Sequence, residues 1–415
     1  MITVGDFYMK EEVKIRYPSY IKEFKCIGGN CSDNCCHGWE IHIDKNTFDK
    51  YVKIQNNIFD TDILENIIVR KNCKNPNIDY GQIKLNNETQ CPFLCKDNYC
   101  SIHANLGEDY LSKVCTTYPR IINKIDDCYE LSLNVSCIEA ARIILLKEEG
   151  ITFDYSRELI SNNYVIAKEI NTNTYEINDT NYKHIKEIRD KSINIITNRK
   201  YKLSERLFDL GLFLENVRRK LCYNYDNTVQ FVDEYDIRSN KVKFQRDIND
   251  YMLQISFYKG ILEKLAASKF FISDNFSEII DKVMLGFKFT EDKSLIENSQ
   301  IYLKAYTILD KEVFEPYSYI FENYLVNHMF KELFPFSEND IVYDGYIMML
   351  VRLSYIKFFI AGYYLSDGKI TIDNIIKIIQ SLTKEIEHDE TYLKHILTHI
   401  KEYELDNKRF AKILL

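Results

Sequence analysis

The sequence predicts a mainly α-helical protein, in which a loop-rich domain holding a cysteine cluster precedes an all-helical C-terminal domain. Two observations predict this fold class. Eleven of the twelve cysteines lie between residues 26 and 137, and only Cys222 lies outside that stretch. From Ile138 onward, apolar residues recur at helical spacing almost to the end of the chain. A length of 415 residues is enough for two or three domains.

The N-terminal domain is predicted at residues 1–149. Between residues 26 and 137 the chain has five of its thirteen glycines and three of its six prolines, a density typical of loops around a site. Ile41 and Ile43 alternate with His42, which predicts a short strand. Asp44 follows and is a suitable N-cap for a helix through Phe48.

The C-terminal domain is predicted as helices over residues 181–415, after a linker at 150–180 that is rich in Asn, Thr and Glu. Ser204 is a suitable N-cap for a helix that continues to Leu221. The further helical runs are Tyr251 to Phe271, Tyr302 to Leu309, Tyr319 to Leu333, Tyr346 to Tyr364, Ile372 to Ile386 and Tyr392 to Tyr403.

Charge and hydropathy exclude some classes of function. The net charge of −8 argues against a nucleic-acid partner, which requires a basic surface. The N-terminus lacks the basic and apolar regions of a signal peptide, so we expect a cytoplasmic protein. The run from Tyr346 to Leu365 is apolar but contains Arg352 and Lys357. Because charges are costly inside a bilayer, we expect a soluble helix and no membrane insertion.

The spacing of the cysteines is typical of a metal or iron-sulfur site. The first cluster reads C-x4-C-x3-C-C, from Cys26 to the adjacent pair Cys35 and Cys36. The second is CPFLCKDNYCSIH, followed by Cys115 and Cys137. Thiolates at short spacing let one loop offer two ligands, as in structural zinc sites and iron-sulfur clusters. The spacing leaves the choice between zinc and iron open.

Other roles for these residues remain open. A disulfide framework is typical of small secreted chains, which this protein does not resemble. Buried cysteines that act as small apolar residues are the interpretation we favour for Cys222, and a possible one for Cys73 and Cys128. Histidines in loops are more often solvated or hydrogen-bonded than bound to metal. Three histidines flank the clusters: His37, His42 and His103.

Six segments of the chain carry a resemblance to a known family. The N-terminal segments are NCSDNCCHGWEIHID, CPFL followed by CSIHANLGEDYLSKVCTTYPR, and SCIEAARIILL. The C-terminal segments are ENYLVNHMFKELFPF, YIMMLVRLSYIKFFIAGYY and IEHDETYLKHI. They resemble the flagellin lysine-N-methylase family, which shares its cysteine signature with a wider group of zinc- or iron-chelating C-x3-CC proteins. The resemblance extends over nearly the whole chain.

The resemblance implies a protein lysine N-methyltransferase that transfers a methyl group from S-adenosylmethionine to lysine side chains of flagellin. It also implies an iron-sulfur cluster, of the 4Fe-4S type, with zinc as the alternative. Cys95 is additional to the family pattern, and Ile138 replaces a proline that is common in the family. The implied ligands are drawn from Cys26, Cys31, Cys35, Cys36, Cys91, Cys100, Cys115 and Cys137.

The usual signatures of methyl-donor binding are missing from the sequence. There is no G-x-G after a strand, so the nucleotide-binding turn of doubly wound methyltransferases cannot be placed. The radical adenosylmethionine signature C-x3-C-x2-C is also missing, because Gly38 and Asn98 occupy its third cysteine position. A non-enzymatic zinc- or iron-binding protein with a structural cluster or a role in metal handling is therefore the alternative function.

Lysine methylation requires a neutral amine, although lysine has a pKa near ~10.4 and is protonated at neutral pH. Tyrosines and carboxylates that line an apolar channel would attract the cation and disfavour its charge. Glu322 and Asp344 are the predicted catalytic residues, because each introduces a long apolar run. The other candidates are Tyr324, Tyr346 and His388, and each is also compatible with a solvated surface position.

Overall fold

The structure is a computed structural model of the chain, with two β-sheets near the N-terminus and helices in the remainder. The strands are β1 (Glu12–Pro18), β2 (His42–Ile43), β3 (Ile67–Val69), β4 (Gly81–Ile83), β5 (Arg120–Ile125), β6 (Cys128–Leu133), β7 (Phe153–Leu159) and β8 (Ile166–Ile170). The residues described are 12–54, 63–71, 73, 75–86, 89–159, 165–174, 181–223, 227–237, 246–267, 273–289, 291, 293–386 and 390–415.

Short helices occur among the strands, and longer helices follow. The first group is α1 (Lys45–Val52), α2 (Pro76–Asp79), α3 (Ser101–Leu106), α4 (Lys113–Thr117) and α5 (Ile138–Leu145). The second group is α6 (Ile185–Ile196), α7 (Leu203–Tyr223), α8 (Thr228–Glu234), α9 (Ile248–Ala267), α10 (Asp274–Gly286), α11 (Leu295–Leu309), α12 (Ser318–Lys331), α13 (Val342–Asp367), α14 (Ile372–Ile386), α15 (Glu390–Glu402) and α16 (Lys408–Leu414). The predicted helical C-terminal domain is confirmed.

The larger sheet has five strands in the order β7-β1-β6-β5-β8. Strands β5 and β6 form an antiparallel pair, while β1 lies parallel to β6 and β8 lies parallel to β5. The N-terminal region was predicted as loops with short elements, but it contains a sheet whose strands pair over long separations in sequence. Local patterns do not reveal such pairs.

The segment predicted as a linker, residues 150–180, contributes β7 and β8 to the two edges of this sheet. In β7, seven residues pair with β1, from Glu12 opposite Leu159 to Pro18 opposite Phe153. Both strands expose most of their side chains, so they carry polar residues like those of a linker. The segment was predicted as a linker because edge strands with polar, solvated faces have a composition like that of a linker.

A second, smaller sheet belongs to a separate hydrophobic core. Its strand order is β2-β4-β3, and α1 begins directly after β2. As predicted, Asp44 caps α1: its Oδ1 accepts a hydrogen bond of 3.0 Å from the Thr47 amide. The residues of this minor core are Ile41, Ile43, Tyr51, Ile63, Ile67, Ile83, Cys91, Phe93 and Ile102.

The main core joins the larger sheet to the helical domain. Buried side chains of β5, β6 and α5 belong to the same hydrophobic cluster as those of helices α6 to α16. Helices α10 and α13 cross closely, since a Cβ at Gly286 would lie 2.0 Å from the carbonyl oxygen of Gly362. Helix α13 is long and apolar enough to cross a membrane, and 94% of its most apolar stretch of residues is buried inside the protein.

Polar contacts fix the sheet on the helical domain. Helix α12 uses two buried amides: Asn323 Nδ2 donates to the Lys147 carbonyl at 2.8 Å and Asn327 Nδ2 donates to the Leu133 carbonyl at 3.1 Å. On α6, the fully buried Arg189 forms a bidentate ion pair with Glu130 of β6, and the shorter of the two contacts is 2.5 Å. Because buried polar groups require partners, these contacts specify one position of the sheet.

Candidate functional site

Six of the eight predicted ligand cysteines lie in or against the two hydrophobic cores. Cys91 is part of the minor core, and three more of the cysteines pack against it: Cys36, Cys100 and Cys115. Cys31 and Cys137 instead pack against the main core. Cys26 and Cys35 are exposed. We call these eight residues the cysteine layer.

Backbone contacts bring the two cysteine clusters together. The Cys91 amide donates a 2.8 Å hydrogen bond to the Cys36 carbonyl, which places the start of the second cluster beside the C-C pair. The loop between Cys26 and Cys31 contacts Tyr99, just before Cys100. A Cβ at Gly29 would lie 2.6 Å from Tyr99 Cε2, so only glycine fits at this approach.

The Gly29→Ala variant is expected to lose about 1 to 3 kcal/mol of unfolding free energy, as overpacking does elsewhere. The reason is that its Cβ would also lie 2.7 Å from the Asp97 carbonyl oxygen, which is backbone and cannot turn away. Denaturant unfolding measures the change. Gly260→Ala is the matched control, since a Cβ there meets nothing within 4 Å. Equal stability of both variants would contradict the close approach.

The electrostatics of the cysteine layer disfavour free thiolates. Burial raises the pKa of Cys115 and of Cys137 to about 12, and neighbouring thiols add to the effect in both cases. The pKa of Cys35 is raised mainly by a side-chain hydrogen bond with Cys36. Cys36 is also hydrogen-bonded through its side chain to Cys91. A bound cation is what would reverse such shifts.

Helix α14 of the helical domain holds the cysteine layer from the other side. Lys384 Nζ lies 2.7 Å from Oδ1 of Asp33, which lies between Cys31 and Cys35, and both side chains are largely buried. Gln380 Nε2 donates to Asp33 Oδ2 and to the Ser136 carbonyl, each at 2.7 Å. One amide therefore connects the loop of the first cluster with the residue before Cys137.

The thiols are neighbours but do not form a closed metal site in the structure. Among the described residues, no group of three or more His, Cys, Asp or Glu side chains could hold a metal ion. The eight cysteines therefore stay predicted ligands. Of the flanking histidines, His42 lies 3.8 Å from Glu40, and burial followed by the charge of Arg70 lowers its pKa.

The remaining cysteines lie in other surroundings. Cys73 Sγ donates to Asp79 Oδ1 at 3.1 Å. The charged neighbours of Cys128 in β6 are Glu130, Lys14 and Arg16. The interpretation of Cys222 as a buried apolar residue is wrong, because it is exposed near the end of α7. An exposed position at the end of an amphipathic helix leaves no signal in local sequence.

The two predicted catalytic carboxylates are both buried and paired. Glu322 of α12 accepts hydrogen bonds from Arg199, at 2.8 to 3.1 Å, and one of 2.6 Å from Arg206. Asp344 of α13 lies 2.5 Å from Lys401 Nζ and accepts from Asn339 Nδ2 at 2.7 Å. The structure thus gives each carboxylate structural partners, and their catalytic role stays a prediction.

The other candidates are also part of the packed interior where the structure describes them. Tyr346 is buried, and its hydroxyl donates to the Leu207 carbonyl at 3.0 Å. Tyr324 is buried beside a small apolar cavity of about 30 Å³ between α13 and α14. His388 lies outside the described residues. The structure brings none of the described candidates together into one site.

A larger cavity lies elsewhere in the helical domain, with a volume of about 910 Å³. Ligand pockets typically occupy ~300 to 1,000 Å³, so this cavity has the size of a small-molecule site. Its lining includes residues 199–206, which lead into α7, together with Arg246, Tyr306 and Lys357. We call it the polar pocket.

One wall of the polar pocket is a π-helical turn, Asp310–Phe314, that continues α11. The Glu315 amide donates to the Asp310 carbonyl at 3.0 Å, a bond that spans five residues. Such turns are rare and often occur at functional sites. The sequence analysis did not predict this pocket. The available signal was Lys357, which lies inside an apolar run, because a lysine is rarely buried unless another group pairs with it.

Comparisons with known proteins identify relatives. The family model "FliB lysine N-methylase C-terminal domain" matches residues 189–414, more than half of the chain. The chain is 33% identical over 159 residues to the flagellar biosynthetic protein FliU of Salmonella muenchen; the alignment covers 37% of this chain and 92% of FliU. It is 34% identical over 136 residues to the lysine-N-methylases of Salmonella typhimurium and Salmonella choleraesuis.

The alignment with the two lysine-N-methylases covers 32% of this chain and only 33% of each relative. No solved structure matches the chain. The expected membership of this family is thus confirmed, by a match that includes nearly all of the helical domain. The chain belongs to the FliB lysine N-methylase family.

Proposed function

We propose that this protein is a lysine N-methyltransferase that acts on lysine side chains of flagellin, with S-adenosylmethionine as the methyl donor. The observation that carries the proposal is the family match over residues 189–414, which spans helices α7 to α16 and most of α6. The names of the relatives, a flagellar biosynthetic protein and two lysine-N-methylases, support the substrate. We propose a cytoplasmic location, where unassembled flagellin is available, without membrane insertion.

The helical domain offers the rigid support that methyl transfer requires. Adenosylmethionine supplies an electrophilic methyl group, and displacement at that group depends mainly on in-line positioning of the amine. Long, buried helices such as α12 and α13 hold side chains at fixed positions. The paired carboxylates Glu322 and Asp344 contribute to this rigidity, because each fixes its helix to another segment of the chain.

We propose further that the cysteine layer holds an iron-sulfur cluster, with zinc as the alternative. The donor set suits either group chemically, because it consists of thiols alone, although the side chains are not arranged as a closed site in the structure. Cys35, Cys36 and Cys91 would contribute ligands from the paired loops, and Cys137 would contribute one from the start of α5. The residues of the chain position the cluster through the contacts of Asp33 with α14.

Co-expression with flagellin tests the proposed activity. Intact-mass and peptide mass spectrometry of flagellin should show methyl increments on lysine in cells that contain this protein. Cells with the empty vector are the control. Calorimetric titration of the purified protein with adenosylmethionine tests donor binding. Unmodified flagellin together with no donor binding would overturn the methylase proposal and would favour the non-enzymatic metal-binding alternative.

Anaerobic purification tests the proposed cluster independently of activity. Iron-sulfur clusters absorb visible light, while zinc-thiolate sites are colourless. We expect a coloured protein with iron and sulfide in comparable amounts. A colourless protein with one or more equivalents of zinc would replace the cluster by the zinc alternative. A protein that contains neither metal would overturn both forms of the proposal.

A further inference from the structure

The polar pocket has an excess of positive charge. Its lining contains seven basic and three acidic side chains. Some of the basic groups are neutralised: Arg199 and Arg206 pair with Glu322, and Lys202 lies 3.0 Å from Glu315. Arg246 and Lys357, in contrast, have no carboxylate within ion-pair distance in the part of the chain that the structure describes.

Arg246 has one buried donor without a hydrogen bond, although its guanidinium also interacts with the hydroxyl of Tyr251. Its Nη2 donates to Tyr306 Oη at 3.2 Å, and the guanidinium lies 4.4 Å from the centre of the Tyr306 ring. Its Nη1 is buried and has no hydrogen-bond partner. A buried, unused donor of a charged group is costly unless a ligand or water completes it. The donor belongs to a residue that lines the pocket.

Lys357 places a second positive charge at the same tyrosine. It is largely buried, its Nζ lies 3.5 Å from Tyr306 Oη, and the ring centre of Phe314 is 5.2 Å away. Burial acts to raise the pKa of Tyr306, but the charges of Arg246 and Lys357 outweigh it and hold that pKa below its ordinary value. Two cations thus converge on one hydroxyl and outweigh the opposing charge of Asp310, which also lines the pocket.

We propose that the polar pocket binds the oxyanion of a small-molecule ligand, a carboxylate or a phosphate, through Arg246 Nη1 and the neighbouring Lys357 and Tyr306. Guanidinium groups bind both oxyanions with charge-assisted hydrogen bonds. A protonated lysine side chain of a protein substrate would be repelled by the same charges, so the pocket is not its site. The proposal goes beyond the proposed function, because it holds whether or not the protein transfers methyl groups.

Two features favour a ligand with an aromatic part beside its oxyanion. The cavity volume of about 910 Å³ exceeds what an isolated carboxylate or phosphate needs. Tyr251 and Phe314 line it, so part of its wall is aromatic. The methyl donor proposed above is an amino-acid carboxylate linked to a purine nucleoside. This choice of nucleoside rests on the proposed function, and a nucleotide phosphate is the other source that the test must distinguish.

Calorimetric titration of the full chain with three probes tests the proposal: S-adenosylhomocysteine carries a carboxylate, ADP carries phosphates and adenosine carries neither. We expect at least one of the two charged probes to bind tenfold or more tightly than adenosine. S-adenosylhomocysteine alone would identify the carboxylate as the ligand group, and ADP alone would identify the phosphate. No binding of either charged probe, or equal binding of all three, would overturn the proposal.

Substitutions assign the binding to the proposed residues. Arg246→Gln and Lys357→Met should each weaken the charged probe at least tenfold and leave adenosine unchanged. Methionine retains the contacts of the Lys357 stem with its aromatic neighbours, and thermal unfolding shows whether each variant is folded. Lys304→Gln removes a charge from the exposed face of α11 outside the pocket and is the control. Unchanged affinity in both folded pocket variants would overturn the assignment.

Discussion

Replacing Glu322 with glutamine is expected to lower the free energy of unfolding by about 3 to 5 kcal/mol, the loss typical when one member of a buried ion pair is removed. The carboxylate is about 1% exposed and holds two guanidinium groups. One of these, Arg206, is itself 2% exposed and would be left without its counter-charge. Chemical denaturation followed by circular dichroism measures the change.

The matched control is Glu278→Gln, which removes an exposed carboxylate that lies 3.6 Å from Lys282. Exposed ion pairs contribute at most about 1 kcal/mol, so this variant should be nearly as stable as the parent protein. A Glu322→Gln protein that keeps its stability but no longer methylates flagellin would contradict the structural role. It would instead support the catalytic role predicted from the sequence.

Serine at both Cys35 and Cys36 is expected to remove most of the metal proposed for the cysteine layer and to make the minor core sensitive to protease. The free energy of metal binding to ligand thiols also stabilises the folded state of the segments that carry those thiols. Cys36 packs against the minor core, so loss of the metal should loosen residues 41–115 before it affects the helices. Metal analysis and visible absorption measure the loss of metal. Limited proteolysis separately measures the protease sensitivity of the minor core.

Cys73→Ser is the control for this pair of substitutions, because Cys73 belongs to the same cysteine-rich stretch but bonds to Asp79. Its metal content and protease resistance should equal those of the parent. A Cys35→Ser, Cys36→Ser protein that retains full metal content would remove these two residues from the ligand set. Full protease resistance after complete metal loss would show instead that the metal does not stabilise the minor core.

The sequence was most informative where structure depends on local pattern. The periodicity from Tyr346 to Tyr364 predicted most of α13, and Asp44 predicted the start of α1, because helices and their caps form between residues close in sequence. The five-stranded sheet was not predicted. Its parallel pairs join β1 to β6 and β5 to β8, segments separated by many residues, and its edge strands are polar.

The candidate sites show the same division. Spacing alone singled out the cysteines, and the structure places six of the eight predicted ligands in or against the two cores. The partners of Glu322 were not predictable, because Arg199 and Arg206 lie more than a hundred residues before it. The polar pocket depends on Arg246, Tyr306 and Lys357, which come from three separate segments. Only tertiary structure brings them together.

The π turn at Asp310–Phe314 also has a consequence for how this family can change. A π turn has the geometry of an α-helix that has accepted one extra residue. One residue rotates the following side chains by about 100° around the helix axis, since an α-helix has ~3.6 residues per turn. A single insertion or deletion at this point would thus change the direction of the side chains in this wall of the polar pocket, while the core side chains of α11 stay in place.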